Sequence, residues 1–176
     1  PKSKKVHIDI DPSSINKNVK VDLPIVGDVT EVITSTIKTI KKTKPSFAKS
    51  NKQKISKWWE KIEKWRSVNS FDFINSDETI KPQYAIQRLY ELTKNKDTFI
   101  TTEVGQHQMW AAQHYKFDKP NRWMTSGGLG TMGYGLPAAV GVQIANPNKL
   151  VIDIAGEASV LMTMQEMSTA VQYSLP

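Results

Sequence analysis

Two apolar segments that each end at a glycine most constrain the fold of this 176-residue chain. The first, Thr98–Val104, is rich in β-branched residues and ends at Gly105, and the second, Leu150–Ala155, is almost continuously apolar and ends at Gly156. Such runs are typical of buried strands in a parallel sheet, and the second is expected at its centre. Because a helical pattern follows each strand, the sequence predicts a doubly wound parallel α/β sheet.

Three helices are predicted around these strands. One begins near Pro82, a small and apolar one covers residues 137–145, and one covers residues 162–173. The first helix has apolar residues at helical spacing, and it is expected to bury Ile86, Leu89, Tyr90 and Leu92.

The N-terminal part of the chain predicts a second, smaller α/β piece. Apolar residues alternate with polar ones over Val6–Ile10, which predicts a strand, and a second short apolar stretch covers residues 21–26. Asp28 and Glu31 have the spacing of a capping box before a helical apolar stripe. Since a strand pattern opens so close to Pro1, we expect the chain to be part of a longer protein.

The net charge of +7 is concentrated in residues 38–66, where eleven Lys and Arg accompany only two Glu. Residues 41–54 are polar and contain Pro45, which predicts a linker. Residues 55–65 predict a short amphipathic helix with its Ile and Trp side chains on one stripe. Such a segment is either a solvated connection or a non-catalytic basic binding module for nucleic acid.

The composition and the apolar pattern indicate where in the cell the protein is expected. The chain has no cysteine, and therefore no disulfide or thiolate metal site. No apolar run approaches the roughly 18 residues that a membrane span requires, and no signal peptide is recognisable. We therefore expect a cytoplasmic protein.

A glycine-rich segment, Gly128–Gly133, satisfies the G-x-G-x-x-G pattern of dinucleotide sites, and Asp153 follows twenty residues beyond it. We reject that interpretation because residues 121–126 do not form a convincing buried strand and because Asp153 lies inside the next strand. Glycines that only allow backbone segments to approach closely remain an alternative.

Polar groups follow both main strands, and parallel strands present their carboxyl ends at one edge of a sheet. Glu157, after the second strand, can hold a cation such as Mg²⁺ while the N–H groups of the following turn face phosphate. Taken alone, Glu157 is better explained as a helix cap, and His107, after the first strand, is better explained as a structural hydrogen-bonding residue.

Three runs at this edge, residues 102–113, 126–139 and 153–159, resemble in order and spacing the cofactor domain of the acetohydroxyacid (acetolactate) synthases, which use thiamine diphosphate. Residues 6–28 resemble the end of that family's central, FAD-associated domain. The resemblance implies that residues 1–42 are the end of the central domain. Residues 43–80 are then a basic linker with a short helix, and residues 81–176 begin the thiamine-diphosphate-binding domain.

The resemblance also implies which residues contact cofactors. Gly130 and Met132 would lie against the aminopyrimidine ring, and Met132 would hold the cofactor in its bent form. The full set implied for thiamine diphosphate is Val104, Gly105, Gln106, His107, Gly130, Met132, Gly156, Ala158 and Ser159. Glu157 would bind Mg²⁺ in place of the family's usual Asp, and Asp9 and Asp28 would flank FAD. No catalytic residue is expected in this chain.

The activity implied is the decarboxylation of pyruvate and its condensation with a second 2-keto acid, pyruvate or 2-oxobutanoate, in valine, leucine and isoleucine biosynthesis. Large subunits would form homo-oligomers with a regulatory small subunit, without nucleic acid or membrane partners. Another thiamine-diphosphate-dependent decarboxylase or carboligase, such as a glyoxylate carboligase, is an alternative, against which the run Gln106–Trp110 argues. We expect the 176 residues alone to be inactive, because the family's activating glutamate and further metal ligands lie outside them.

Overall fold

The computed structural model describes residues 3–176, which form two compact units that meet in sequence between Ser70 and Phe71. Each unit contains its own parallel sheet with helices between or after the strands. The predicted α/β class is confirmed. No helix of the described part is long and apolar enough to cross a membrane.

The first unit has a two-stranded sheet followed by two helices. Its elements are β1 (Val6–Asp9), a 3-10 turn (Pro12–Ser14), β2 (Leu23–Val26), α1 (Val29–Thr43) and α2 (Phe47–Arg66). β1 and β2 are parallel and in register from Val6 opposite Leu23 to Asp9 opposite Val26. Both predicted strands are therefore confirmed.

Helix α1 begins where the capping pattern predicted. The Asp28 carboxylate accepts the N–H groups of Thr30 at 2.8 Å and Glu31 at 3.3 Å. These bonds satisfy two of the amides that a helix start leaves without partners.

Residues 41–54, which we expected to form an irregular linker, are almost entirely helical. Helix α1 continues to Thr43 and α2 begins at Phe47, so only residues 44–46 separate them. Lysine is a good helix former, and a charged, polar segment can therefore be helical throughout. Pro45 interrupts the helices because a proline disfavours helical geometry in the residue before it; Lys44 has φ −139° and ψ 64°.

The aromatic stripe of α2 is present, but on a helix longer than the predicted residues 55–65. Trp58 and Trp65 meet edge to face with ring centroids 5.7 Å apart, and the Lys61 ammonium lies 5.0 Å from the Trp65 ring centroid. Both rings remain half exposed, and no described residue of this unit is buried.

The second unit is built on a three-stranded sheet. Its elements are α3 (Pro82–Thr93), β3 (Thr98–Thr102), α4 (Gln106–His114), β4 (Trp123–Thr125), α5 (Gly135–Ala145), β5 (Leu150–Ile154), α6 (Glu157–Leu161) and α7 (Glu166–Gln172). The strand order is β4-β3-β5, and both neighbours pair with β3 in parallel.

Strand β3 is the centre of the second unit. All five of its residues are buried, whereas those of β5, which we expected at the centre, are only half-buried. The core forms around Ile86, Ile100 and Tyr115, from α3, β3 and the end of α4. β3 is central because it alone pairs on both sides.

Strand β4 lies in residues 121–126, where the sequence showed no convincing strand pattern, so that expectation was wrong. Only three residues form it, too few for a visible alternation, and it is fixed by its neighbour. Thr102 of β3 lies opposite Thr125, and their hydroxyl oxygens are 2.6 Å apart.

Two helix predictions also need correction. Leu92 is 65% exposed, because α3 turns only part of its apolar surface toward the core. The helix expected over residues 162–173 begins at Glu166 instead. Residues 162–165 form a turn in which the Thr163 hydroxyl donates to the carbonyl of Gly133 at 3.3 Å. This hydrogen bond prevents α6 and α7 from forming one continuous helix.

Candidate functional site

The candidate site lies at the carboxyl edge of the second sheet. β3, β4 and β5 are parallel, so the residues that follow them lie at one edge. Gly105 leads from β3 into α4, and Gly156 leads from β5 into α6. Ligands of open α/β sheets bind at this edge.

The imidazole of His107 lies between these two glycines. A Cβ on Gly105 would lie 2.9 Å from His107 Cε1, and a Cβ on Gly156 would lie 3.0 Å from His107 Nδ1. A side chain at either position would therefore displace the ring. His107 Nε2 is buried and has no hydrogen-bond partner among the described residues, which leaves a polar atom available to a ligand.

The helix starts beside His107 have no side-chain caps. Gly105 is the N-cap of α4 and Gly156 the N-cap of α6, and neither can supply a side-chain acceptor for the first N–H groups. Uncapped N–H groups and the positive end of the helix dipole attract anions. This edge therefore suits a phosphate group.

A glycine-rich loop connects β4 to α5 at the same edge. The Ser126 carbonyl accepts the N–H of Gly130 at 3.1 Å, and the Ser126 hydroxyl accepts the N–H of Thr131 at 3.0 Å. Gly130 and Gly133 have φ values of +67° and +85°, which side-chain-bearing residues rarely adopt. These glycines are needed for the path of the loop.

Glu103, which the sequence analysis gave no role, is fully buried directly after β3. Its Oε2 accepts the N–H of Gly133 at 2.6 Å and its Oε1 accepts the N–H of Leu136 at 3.1 Å. The carboxylate thus caps the start of α5 from a neighbouring strand.

A second acid, Asp153, lies close to this cap. Burial raises its carboxyl pKa to about 6, and the negative charge of Glu103 adds to the increase, while a hydrogen bond from the Thr101 hydroxyl at 2.8 Å opposes it. Its Oδ1 would be 2.5 Å from a Cβ on Gly135, so the acid lies against the beginning of α5.

We expect Asp153→Asn to stabilise the chain at pH 7 by about 1 kcal/mol, after allowance for the part of the shift that solvent screens. The pKa of Asp153 is raised on folding, so its favourable contribution is complete below pH 4 and is lost as the pH rises through about 6. The free energy of urea unfolding, measured from pH 4 to 7, should therefore fall less steeply in the variant. The exposed Asp118→Asn is the control, and identical slopes in all three proteins would refute the assignment.

The other residues predicted for the cofactor lie around these two strand ends. A Cβ on Gly130 would lie 3.8 Å from Val104, Met132 is 38% exposed, and Gln106 and Ala158 are exposed at helix starts. Ser159 is buried, and its hydroxyl donates to the Gly156 carbonyl at 3.1 Å.

Glu157, predicted as the metal ligand, is exposed at the first position of α6. No group of three or more acidic or histidine side chains with metal-site geometry occurs among residues 3–176 as described. A metal at this position would therefore need most of its ligands from elsewhere.

The residues predicted to flank FAD belong to the first unit. Asp9 ends β1, and its carboxylate accepts the N–H of Asp11 at 2.9 Å. Asp28 follows β2 and caps α1. The N–H of Gly27 donates to the carbonyl of Asp9 at 3.0 Å, so both acids lie at the carboxyl edge of the first sheet.

The sequence could have shown that Glu103 needs hydrogen-bond donors, but not which ones, and it could not have shown the contact of Gln108. An isolated acid between a buried strand and a glycine, as in Glu103–Val104–Gly105, requires compensation by nearby donors. Gln108 is one turn into α4, and its amide donates to the Thr125 hydroxyl at 2.6 Å, a contact that depends on the short strand β4.

Comparison with known proteins assigns both ends of the chain to one family. Residues 103–176 match the model of the thiamine pyrophosphate enzyme C-terminal TPP-binding domain. Residues 1–36 match the model of the thiamine pyrophosphate enzyme central domain. The chain belongs to the thiamine pyrophosphate enzyme family. Thiamine pyrophosphate is the same compound as thiamine diphosphate, and the resemblance found in the sequence is confirmed.

Curated acetolactate synthase large subunits match the whole chain. The acetolactate synthase isozyme 3 large subunit of Escherichia coli is 47% identical over 176 residues, and the acetolactate synthase large subunits of Buchnera aphidicola from Schlechtendalia chinensis and of Haemophilus influenzae are 48% and 42% identical. Each alignment covers 100% of this chain and 30% of the relative. The chain thus spans about 30% of the length of these relatives.

Membership of the thiamine pyrophosphate enzyme family agrees with our rejection of a dinucleotide site at Gly128–Gly133, which lies within the matched C-terminal domain. One of the two reasons for that rejection was wrong, because strand β4 does precede the loop. The other reason, that Asp153 lies inside a strand, is confirmed, since β5 extends to Ile154.

Proposed function

We propose that this chain contributes the diphosphate-binding part of an acetolactate synthase large subunit. The observation that carries the proposal is the arrangement around His107, where two uncapped helix starts and a buried nitrogen without a partner lie at one sheet edge. Backbone N–H groups after Gly105 and Gly156 would bind the diphosphate, since such groups attract phosphate oxygens.

Thiamine diphosphate, when bound, supplies a carbon nucleophile for 2-keto acids. The chain's own contribution would be to bind and orient it. His107, enclosed by Gly105 and Gly156, would donate or accept a hydrogen bond through Nε2. Gly130 and Met132 would lie against the aminopyrimidine, with the half-exposed Met132 side chain available for contact.

Mg²⁺ would be held by Glu157. Magnesium sites commonly use one or two protein carboxylates, with phosphate oxygens and water as the other ligands. An exposed carboxylate one residue beyond Gly156 fits that arrangement, because the diphosphate would lie beside the same turn.

FAD would lie at the other sheet. Asp9 and Asp28 are both at the carboxyl edge of the β1–β2 sheet, where ligands of such sheets bind. Their carboxylates are engaged in local hydrogen bonds, so the backbone that they fix would make the contact.

The substrates we propose are pyruvate and a second 2-keto acid, pyruvate or 2-oxobutanoate, in branched-chain amino acid biosynthesis. We also propose that such chains form homo-oligomers with a smaller, regulatory subunit. The relatives are named large subunits, which supports the smaller partner. The proposal includes a cytoplasmic location, because these substrates are soluble metabolites.

A chimera tests the proposal. These 176 residues would replace the matching residues of the Escherichia coli isozyme 3 large subunit, to which they are 47% identical. We expect the chimera to form acetolactate, detected colorimetrically as acetoin, only with thiamine diphosphate present. Activity that does not depend on thiamine diphosphate would overturn the proposal.

Within the chimera, Gly156→Ala should weaken the binding of thiamine diphosphate by about tenfold, because the new Cβ would lie 3.0 Å from His107 Nδ1 and displace the ring. Gly141→Ala in α5 is the matched control, since a Cβ there meets nothing within 4 Å. Calorimetric titration measures both affinities. Equal affinities would show that His107, enclosed by Gly105 and Gly156, is not part of the binding site.

A further inference from the structure

Glu103 is a buried carboxylate whose compensation comes entirely from backbone amides. The residue is 0% exposed, and none of the ion pairs among the described residues includes it. Its two oxygens accept the N–H groups of Gly133 at 2.6 Å and Leu136 at 3.1 Å. A buried charge is stable only with such partners, so the positions of these two N–H groups relative to the carboxylate are fixed.

One donor, Leu136, is in the first turn of α5, and the other, Gly133, directly precedes its N-cap residue Tyr134. α5 is an eleven-residue helix, and Tyr134 makes no side-chain cap. Glu103 therefore performs the capping from thirty residues earlier in the chain. Charge-assisted bonds at the positive end of a helix are stronger than bonds between neutral groups. The contact ties the loop before α5 to the central strand of the sheet.

Met132 lies between two fixed points of this loop. On its N-terminal side, the N–H of Thr131 donates to the Ser126 hydroxyl at 3.0 Å. On its C-terminal side, the N–H of Gly133 donates to Glu103, and the Gly133 carbonyl accepts the Thr163 hydroxyl. Neither neighbour of Met132 can move without breaking one of these bonds.

We propose that Glu103 is a positioning residue for the cofactor's aminopyrimidine end. Its carboxylate holds residues 130–133 in the conformation that presents Met132, and it does not touch the diphosphate end of the site, which is formed by Gly105, His107 and Gly156. The inference rests on the proposed function, because it assigns Met132 to the aminopyrimidine.

The affinities of the chimera for two ligands distinguish a positioning role of Glu103 from a general structural role. Inorganic diphosphate probes only the turn around His107, whereas thiamine diphosphate probes both ends of the site. Glu103→Gln keeps the length and one acceptor oxygen, but it turns an amide donor toward a backbone N–H. We expect it to weaken thiamine diphosphate by about tenfold and to leave inorganic diphosphate unchanged. Glu91→Gln, at an exposed glutamate of α3, is the control and should change neither.

A second variant covers the case in which the buried substitution prevents folding. Ser126→Ala removes the hydroxyl that fixes the other side of Met132, and it should produce the same selective loss without a buried charge being disturbed. Equal weakening of both ligands by a folded Glu103→Gln, or no weakening of thiamine diphosphate by either variant, would overturn the inference. A parent chimera that binds neither ligand would instead overturn the proposed function, and the inference with it.

Discussion

Replacing Gly135 by alanine is expected to destabilise the second unit by about 3 kcal/mol, although glycine-to-alanine changes inside helices normally stabilise. A Cβ at this position would lie 2.6 Å from the backbone nitrogen of Glu103 and 2.8 Å from the carbonyl carbon of Thr102. Both atoms belong to the buried central strand or its immediate continuation, so they cannot move aside as a flexible side chain would. The whole start of α5 would have to shift away from β3.

Gly141→Ala is the matched control for Gly135→Ala because it lies in the same helix. Its Cβ would meet nothing within 4 Å, so we expect it to stabilise by up to about 1 kcal/mol. Urea unfolding of the 176-residue chain, followed by far-UV circular dichroism, measures both. If the two substitutions changed the free energy of unfolding in the same direction, the close approach of α5 to β3 would be refuted.

The parts of the fold that the sequence predicted are those with strong local patterns. The β-branched run before Gly105 and the apolar run before Gly156 became β3 and β5. The capping acid Asp28 marked the start of α1. In each of these segments the local preference and the tertiary structure agree, so the pattern alone was sufficient.

The errors occurred where local patterns are ambiguous. Strand β4 is three residues long and is stabilised by pairing with β3, which no short window of sequence contains. The basic segment before Trp58 looked like an irregular linker because it is polar and contains Pro45. Lysine is nevertheless a good helix former, and it can be exposed to solvent on a helix. Charge alone did not distinguish an exposed helix from a linker.

The candidate site also contains residues that the sequence predicted and a residue that it did not. The position of Gly105, His107 and Gly156 at one edge was predicted because strand ends of parallel sheets meet there, which follows from topology. Their role toward a cofactor came from the family resemblance. The cap formed by Glu103 could not be predicted, since its partners Gly133 and Leu136 are about thirty residues away and donate through backbone groups. Hydrogen bonds from the backbone leave no signature in the residue types that supply them.

Removal of the Glu157 carboxylate is expected to have the largest effect on activity. In the chimera, Glu157→Ala should lower acetolactate formation by more than about 100-fold, because the proposed metal would lose its carboxylate from this turn and transition-state charge would go uncompensated. The side chain is exposed and makes no hydrogen bond within the described structure, so its loss should not unfold the protein. An unchanged melting temperature is the check on that point.

Glu157→Asp tests the length of the same side chain. Aspartate is the residue that the related enzymes are expected to carry, and Mg²⁺ requires nearly ideal octahedral geometry at about 2.0–2.1 Å from each ligand. The longer glutamate must absorb one extra methylene by a rotamer change or a shift of the turn at Gly156, which corresponds to a loss of about tenfold in metal affinity. The Asp variant should therefore reach half-maximal activity at a lower Mg²⁺ concentration than the parent, and it should bind Mn²⁺ more tightly by electron paramagnetic resonance. If the Ala variant matched the parent at every Mg²⁺ concentration, Glu157 would serve only as the first residue of α6, and the metal would have to be held by other groups.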